Sequence, residues 1–322
     1  MKCAPIIIPT LNRVNHLKRC IDSLKKNQYA CDTDLIISVD FPPNESYIKG
    51  YEDVLSYLNK GVDGFRNVEI FFQERNRGPF GEGSNGYWLI EYASLKYDRF
   101  IFTEDDNEFS PYFLKYMNEY LTAYETHEKV MFVCAEGLGK TIIDKGVVKV
   151  HDFSAYGVGI WKEKYNRFFN LKRDDILYIA SDTKFLIRLA KDYKYLLFEL
   201  QNYVLCRGRL FDGTIGEVPL VDIIFKLYNL YYEKYSIFLE GNSLVKNWGY
   251  DGTGVNCGDN KMDISNVLLE NRPIPCITSI DDIDIGVTHY PEYKSDVIRA
   301  VVAIIRIRIW FLWNSIIKRK RN

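Results

Sequence analysis

Five short apolar runs alternate with stretches of helical period through residues 1–135, and no other feature restricts the fold as strongly. The runs are Ala4 to Ile8, Leu35 to Val39, Val68 to Phe72, Arg99 to Thr103 and Val130 to Cys134. Between the first two, Leu11, Val14, Leu17, Ile21 and Leu24 recur at helical spacing. Residues 84–97 turn helical after a glycine-rich loop, and Ser110-Pro111 supplies an N-cap and first-turn proline for a helix to about Tyr124. Strands joined by helices require right-handed crossovers, so the expected class is α/β, a mainly parallel central sheet with helices on both faces. Ligands of such sheets bind beyond the carboxyl ends of the strands. Asn12-Arg13, Asp40 and Glu104-Asp105-Asp106 all fall at that rim. Beyond residue 150 the pattern is irregular, with helices near 179–192 and 220–234 and a glycine-rich loop near 247–258. No linker, repeat or low-complexity tract interrupts it.

Charge and cysteine usage narrow the function classes. The net charge of −1 conceals a basic end, since Arg299, Arg306, Arg308, Lys318, Arg319, Lys320 and Arg321 lie in the last 24 residues with no acid among them. The remaining body is mildly acidic and presents no broad basic face for nucleic acid. Seven scattered cysteines without a C-x-x-C pair argue against a disulfide framework or zinc knuckle and fit a reducing cytoplasm. The opening residues are too briefly apolar for a signal-peptide core, so no export is expected.

Three consecutive acids directly after a buried strand are costly unless something positive neutralises them. A hard cation, magnesium or manganese, would do so while taking only one or two oxygens from the protein and the rest from water and phosphate. That stoichiometry suits a nucleotide diphosphate. The other reading is a solvated acidic turn in which Asp105 or Asn107 caps the next helix.

With Pro5 to Arg13, Asp40 and Glu104-Asp105-Asp106 in this order, the chain resembles the nucleotide-binding half of GT-A (Rossmann-like) glycosyltransferases. It is most like the N-acetylglucosaminyltransferase I type and the bacterial family 2-like polysaccharide transferases. The resemblance implies Asp106 as metal ligand for Mn2+ or Mg2+, with Glu104 and Asp105 supporting the donor. It places Asp40 at the uracil or ribose, and Thr10, Asn12 and Arg13 along the nucleotide pocket. Asp40 before Pro42-Pro43 is also readable as a turn former. Ser154 to Lys162 resembles the segment beneath the donor sugar, which makes Gly157 and Trp161 donor-side candidates; a glycine-permitted bend with Trp161 in the core is the competing reading. Arg77 is a candidate for steadying phosphates, or part of a solvated loop.

The resemblance extends to a base-bearing helix, which makes Asp222 the expected catalytic base, although Val221 stands where the family usually has tryptophan. Asp212 is its rival, and Asp222 is alternatively a first-turn acid favoured by the helix dipole. His289 is a further candidate metal ligand, or a structural histidine beside a proline turn. The Gly249-Tyr250-Asp251-Gly252-Thr253-Gly254 loop lacks a P-loop lysine and is assigned to closing over donor or acceptor.

The expected organisation is a transferase domain over 1–296, with a nucleotide-sugar-binding half at 1–135 and an acceptor half at 136–296, and a C-terminal segment at 297–322. That segment is apolar with Trp310, Phe311 and Trp313 before a basic cluster, the order of an interfacial membrane anchor. Its arginines argue against a span, and packing as a C-terminal helix is the alternative. The expected function is metal-dependent inverting transfer from a nucleotide-diphosphate sugar to a glycan or lipid-linked saccharide. The expected place is the cytoplasmic face of an anionic membrane. A sugar-phosphate nucleotidyltransferase and a non-catalytic nucleotide- or glycan-binding module are the alternatives.

Overall fold

A computed structural model describes residues 3–79, 83–139, 146–169, 173–205, 220–253, 268–286 and 296–319. Two compact units emerge, one of Met1–Tyr165 with Tyr235–Gly286, the other of Asn166–Lys234 with Val287–Asn322. This differs from the expected single domain with an appended tail. The chain leaves the first unit after residue 165 and returns to it at 235, and such a return leaves no linker in the sequence.

The first unit is built on eight strands in the order β3-β2-β1-β4-β8-β6-β9-β7. They are β1 (Ile6–Thr10), β2 (Asp34–Val39), β3 (Asn67–Phe72), β4 (Arg99–Phe102), β6 (Val130–Gly137), β7 (Val147–Val150), β8 (Val158–Trp161) and β9 (Tyr235–Leu239). A separate antiparallel pair joins β5 (Asn107–Phe109) to β10 (Val245–Asn247). Strands β1 to β4 pair in parallel, whereas β8 runs against both β4 and β6, and β7 runs against β9. The fold is the expected α/β GT-A class, with a mixed far half of the sheet.

The central strands read as continuous apolar runs because both their faces are covered. Ile6, Ile7, Ile8, Leu35, Ile36 and Ile37 are all fully buried. Helix α1 (Val14–Lys25) buries Leu17, Cys20, Ile21 and Leu24, the stripe its spacing predicts. Helices α2 (Ile48–Leu58), α3 (Asn85–Lys96) and α4 (Phe113–Ala123) complete the crossovers. The expected cap of α4 shifts. Ser110 stands outside the helix, its hydroxyl accepting from the Tyr112 amide at 3.3 Å while donating to the Glu270 carbonyl, and Tyr112 holds the cap position.

The second unit is helical. It holds α6 (Arg173–Ser181), α7 (Thr183–Asp192), α8 (Lys194–Leu205), α9 (Leu220–Tyr231) and α10 (Asp296–Arg319), while α5 (Lys162–Phe169) contains the boundary. Asp182 caps α7 by accepting from Lys184 and Phe185 amides. Ile179, Leu186, Leu189, Leu197, Leu200 and Leu227 form its core with Ala300, Ala303 and Ile307 of α10.

The antiparallel course of β8 decides where Trp161 lies. Val158 pairs with Phe102 at the carboxyl end of β4, and Trp161 pairs with Arg99 at the opposite end. Trp161 is 3% exposed, and its indole N–H donates to the Leu121 carbonyl at 3.0 Å. Over its ring, 3.7 Å from the centroid, lies the Lys164 ammonium, which donates to the carbonyls of Tyr124, His127 and Val130 at 2.7, 3.0 and 2.7 Å. Gly157, at φ +73°, is the member of this segment at the carboxyl end; an added Cβ would stand 2.8 Å from Phe109, in the stacked Phe109–Phe113 pair. Burying an ammonium is tolerable here because three carbonyls satisfy it. Lys164→Met should therefore destabilise the first unit by about 2–3 kcal/mol, because the carbonyls lose their donor in a buried place. A lowered urea midpoint, followed by tryptophan fluorescence, is the expected readout.

Candidate functional site

Because β1 pairs in parallel with both β2 and β4, their carboxyl ends lie side by side. Thr10 ends β1, Asp40 follows β2 and residues 103–106 follow β4, so sheet register alone brings them to one rim. After β4 the chain enters the β5–β10 pair, in which Asn107 faces Asn247. That pairing lays residues 247–249 across the acids. The Trp248 amide donates to the Asp106 carbonyl at 2.8 Å. Asn247 Nδ2 donates to Asp106 Oδ1 at 2.8 Å and to Asn107 Oδ1 at 2.9 Å. Gly249 passes so close that any Cβ there would overlap Asp106 Oδ2, and only glycine fits.

Asp105 and Asp106 are 4% and 7% exposed. Adjacent buried carboxylates lose hydration and repel each other, so the cluster needs an internal cation. Arg13 provides it. Its Nη2 donates to Asp105 Oδ1 and its Nη1 lies 2.9 Å from Asp106 Oδ2, while the Thr10 hydroxyl donates to Asp105 Oδ2 at 2.6 Å. Burial raises the pKa of Asp105; the Arg13 charge opposes that rise and Asp106 adds to it. Burial alone would lower the pKa of Arg13, but the two carboxylates outweigh it and the net shift is upward. Two acids share one guanidinium, which leaves one negative charge over. Nη1 of Arg13 is itself buried, and Asp106 Oδ2 is its charged neighbour.

Asp40, 5% exposed, organises the neighbouring loop. Oδ1 accepts from the Phe41 and Arg77 amides at 2.9 and 2.8 Å, and Oδ2 accepts from the Gly78 amide at 3.1 Å and from Asn76 Nδ2 at 3.3 Å. Burial raises its pKa, and the amides pull against that rise. Arg77 directs Nε to Gln73 Oε1 at 2.6 Å and lies 5.3 Å from the centroid of Trp88. Asn12 is half-buried in the loop after β1, where side-chain-free Gly50 of α2 lets the helix approach its carbonyl. Glu104 is half-buried at the head of the acidic trio.

The structure thus brings together Thr10, Arg13, Asp105 and Asp106, with Glu104, Asp40 and Arg77 on the same rim, and it does not bring Trp161 there. Asp222 stands in the first turn of α9, in the second unit. Asp212 and His289 lie outside the described residues.

Several contributors escaped the sequence reading. His16 Nε2 lies 3.1 Å from Asp251 Oδ2 and 3.4 Å from the Trp248 carbonyl. The Trp248 indole N–H donates to Glu108 Oε2 at 2.8 Å, and the Arg19 guanidinium lies 4.2 Å from the centroid of its ring. The Tyr156 and Tyr250 hydroxyls are 3.1 Å apart. Burial works to raise the pKa of Asp251, but hydrogen bonds from Thr253, aided by the charges of His16 and Arg13, leave it lowered. The loop at 247–253 is therefore tied down against α1 and the acids. The glycines alone signalled it; the partners on α1, β5 and the Tyr156 loop sit 94 or more residues away.

Among the described residues, no group of three His, Cys, Asp or Glu side chains is placed to hold a metal ion. Asp106 adjoins the residual negative charge, and a magnesium-like cation that draws most of its oxygens from phosphate and water needs little more. The donor set fits a cation that arrives with a diphosphate.

Comparison with known proteins agrees with this architecture. No curated protein sequence matches the chain. Among solved structures it is similar to S. aureus TarS, with 14% identity, 50% of this chain and 28% of that one covered, and a TM-score of 0.35. It is also similar to residues 1–349 of S. aureus TarS in complex with UDP-GlcNAc, at 11% identity, 72% and 81% coverage and a TM-score of 0.37. A third likeness is to the inositol-1-phosphate CTP transferase from T. maritima, at 12% identity, 77% and 90% coverage and a TM-score of 0.34. The chain spans little more than a quarter of the longer TarS chain, and no assignment rests on likenesses this distant. The glycosyl transferase family 2 model, by contrast, matches residues 6–195, more than half of the chain. With a GT-A sheet beneath it and a buried acidic pair at its rim, this chain belongs to glycosyl transferase family 2.

Proposed function

We propose that the chain transfers a hexosyl or N-acetylhexosaminyl group, with inversion, from a nucleotide-diphosphate sugar to a glycan or lipid-linked saccharide. The family resemblance favours a UDP-sugar donor and a role in surface polysaccharide synthesis at the cytoplasmic face of the membrane. One observation supports the reading above others: two buried carboxylates, Asp105 and Asp106, share the one Arg13 guanidinium at the rim of the sheet, a cluster with one formal negative charge in excess. A divalent cation that arrives with a diphosphate answers such a charge. Asp106 would hold Mn2+ or Mg2+ together with the diphosphate, where the cation supplies charge neutralisation for the departing nucleotide. In this proposal Asp105 acts by holding Arg13, since Thr10 and Arg13 occupy its two oxygens. Glu104 faces the donor and Asp40 shapes the loop of Arg77 around the nucleotide. Asp222 serves as the base that deprotonates the acceptor hydroxyl, with Asp212 its rival.

A sugar-phosphate nucleotidyltransferase would want glycines and an outward basic residue after β1. Here that loop is Leu11-Asn12-Arg13, and Arg13 is turned inward onto the acids.

Melting temperature in the presence of UDP and manganese should rise, and each alone should raise it less, because ligands of the native state stabilise it by mass action. If no nucleoside diphosphate with metal moves the melting temperature, the donor assignment fails. Asp106→Asn should lower transfer by about a hundredfold or more with the melting temperature kept, in line with the loss of one electrostatic group at a reacting diphosphate. Asp222→Asn should lower kcat by about a hundredfold or more while leaving the dissociation constant of the UDP–metal complex unchanged. The same outcome for Asp212→Asn instead would transfer the role to the rival. Gly249→Ala should displace Asp106 and weaken UDP–manganese binding; unchanged affinity, measured by calorimetry, would show that the close approach is immaterial.

A further inference from the structure

Helix α10 presents two opposed apolar stripes. Ala300, Ala303 and Ile307, at most 2% exposed, belong to the core of the second unit, where α10 packs on α8 and α7. At 100° per residue, Ile298, Val301, Ile305, Ile309, Leu312 and Trp313 fall on the opposite side. They are 73, 53, 51, 49, 62 and 64% exposed. A solvent-facing helix ordinarily turns polar residues outward; this one turns its largest aliphatic side chains to water along its whole length.

Charge identifies what covers the stripe. On the same wheel Arg308 lies along one margin of the exposed stripe, and Arg299 and Arg306 lie along the other. All three are exposed. Arg299 also pairs with Asp296 at 3.0 Å, and Arg308 donates to the Ser181 carbonyl at 3.0 Å, so both are anchored on their own unit at the stripe's edges. Residues 297–322 contain no acid, and the chain ends in Lys318-Arg319-Lys320-Arg321-Asn322. A second copy laid on this stripe would set arginine against arginine along both margins and gain no opposite charge from either helix. An anionic lipid surface supplies apolar depth for the stripe and negative headgroups for both margins and the end. No helix among the described residues is long and apolar enough to cross a membrane. With its inner stripe committed to the protein core, α10 has one face to give to lipid, which is the geometry of a helix lying in the plane of the interface.

We infer that the outer face of α10 is a docking surface for an anionic bilayer, with Ile298, Val301, Ile305, Ile309, Leu312 and Trp313 entering the acyl boundary between rows of arginine. This inference is independent of the proposed sugar chemistry, since vesicle binding needs neither donor nor acceptor.

The test is co-sedimentation of the full chain with vesicles of phosphatidylcholine alone or of equal parts phosphatidylcholine and phosphatidylglycerol. Binding is expected to the anionic vesicles, to weaken with salt, and to be weaker by about tenfold or more on the neutral ones. Ile305→Glu with Ile309→Glu should abolish it and Arg306→Glu should weaken it about tenfold, while the melting temperature and the UDP–manganese response stay as in the parent chain. Three results would overturn the inference. One is no binding to anionic vesicles, another is binding that the double variant retains. The third is a concentration-dependent dimer, seen by sedimentation velocity without lipid, that the same variant abolishes.

Discussion

One guanidinium between two buried carboxylates is the constraint on which the rim of the sheet depends. Asp105 and Asp106 lie just beyond β4 and are buried, and Arg13 reaches them from the loop after β1. The link fixes the loop that opens α1 to the strand end beside it, so β1, α1 and β4 meet in one electrostatic cluster as well as in hydrogen-bonded register. Removing Arg13 would leave two buried carboxylates without a cation, which is more damaging than never having built the cluster. The cluster is also deliberately unbalanced. Arg13 keeps its proton, and so sets one permanent positive charge against two carboxylates.

The rim was legible because it is local. Each of the first four strands ends within a few residues of the polar group it delivers, and parallel pairing then aligns those ends without further information. The middle of the molecule was legible only in part. Ser154 to Lys162 resembles the segment beneath the donor sugar, with a bend and a core Trp161 as the competing reading. Trp161 is in the core, on a fully covered strand whose direction sends it to the far end. Strand direction is a property of the sheet, and nothing within four residues states it. The same holds for Asn247 and Gly249. They reach Asp106 because β10 pairs with β5, a partner 140 residues away, and a sequence window carries no trace of that pairing beyond an unexplained glycine.

The acidic trio emerges with divided work. Three adjacent acids invite a symmetrical picture in which all of them face the ligand, but alternation along the chain and the position of Arg13 separate them. Asp105 is enclosed by Thr10 and Arg13, Asp106 is held by Asn247 and the backbone at 248–249, and Glu104 remains half-buried ahead of them. Arg13, foreseen as a wall of the nucleotide pocket, is the cation that pairs with both Asp105 and Asp106. Loop 247–253 is held in place beside the acids by the His16–Asp251, Trp248–Glu108 and Tyr156–Tyr250 contacts.

The interrupted course of the first unit reaches beyond its architecture. Strand β9 lies between β6 and β7 and is contributed by the stretch after residue 234, as is β10 over the acids. The family match closes at residue 195, before either strand has been made. During synthesis, the sheet therefore waits for the whole of 166–234 to leave the ribosome before β9 can join between β6 and β7, and the acidic pair waits with it for Asn247 of β10. A protein truncated at the limit of its recognisable family would carry the motif and lack the site. Conversely, the stretch between the two visits to the sheet is a cassette whose length the sheet does not dictate.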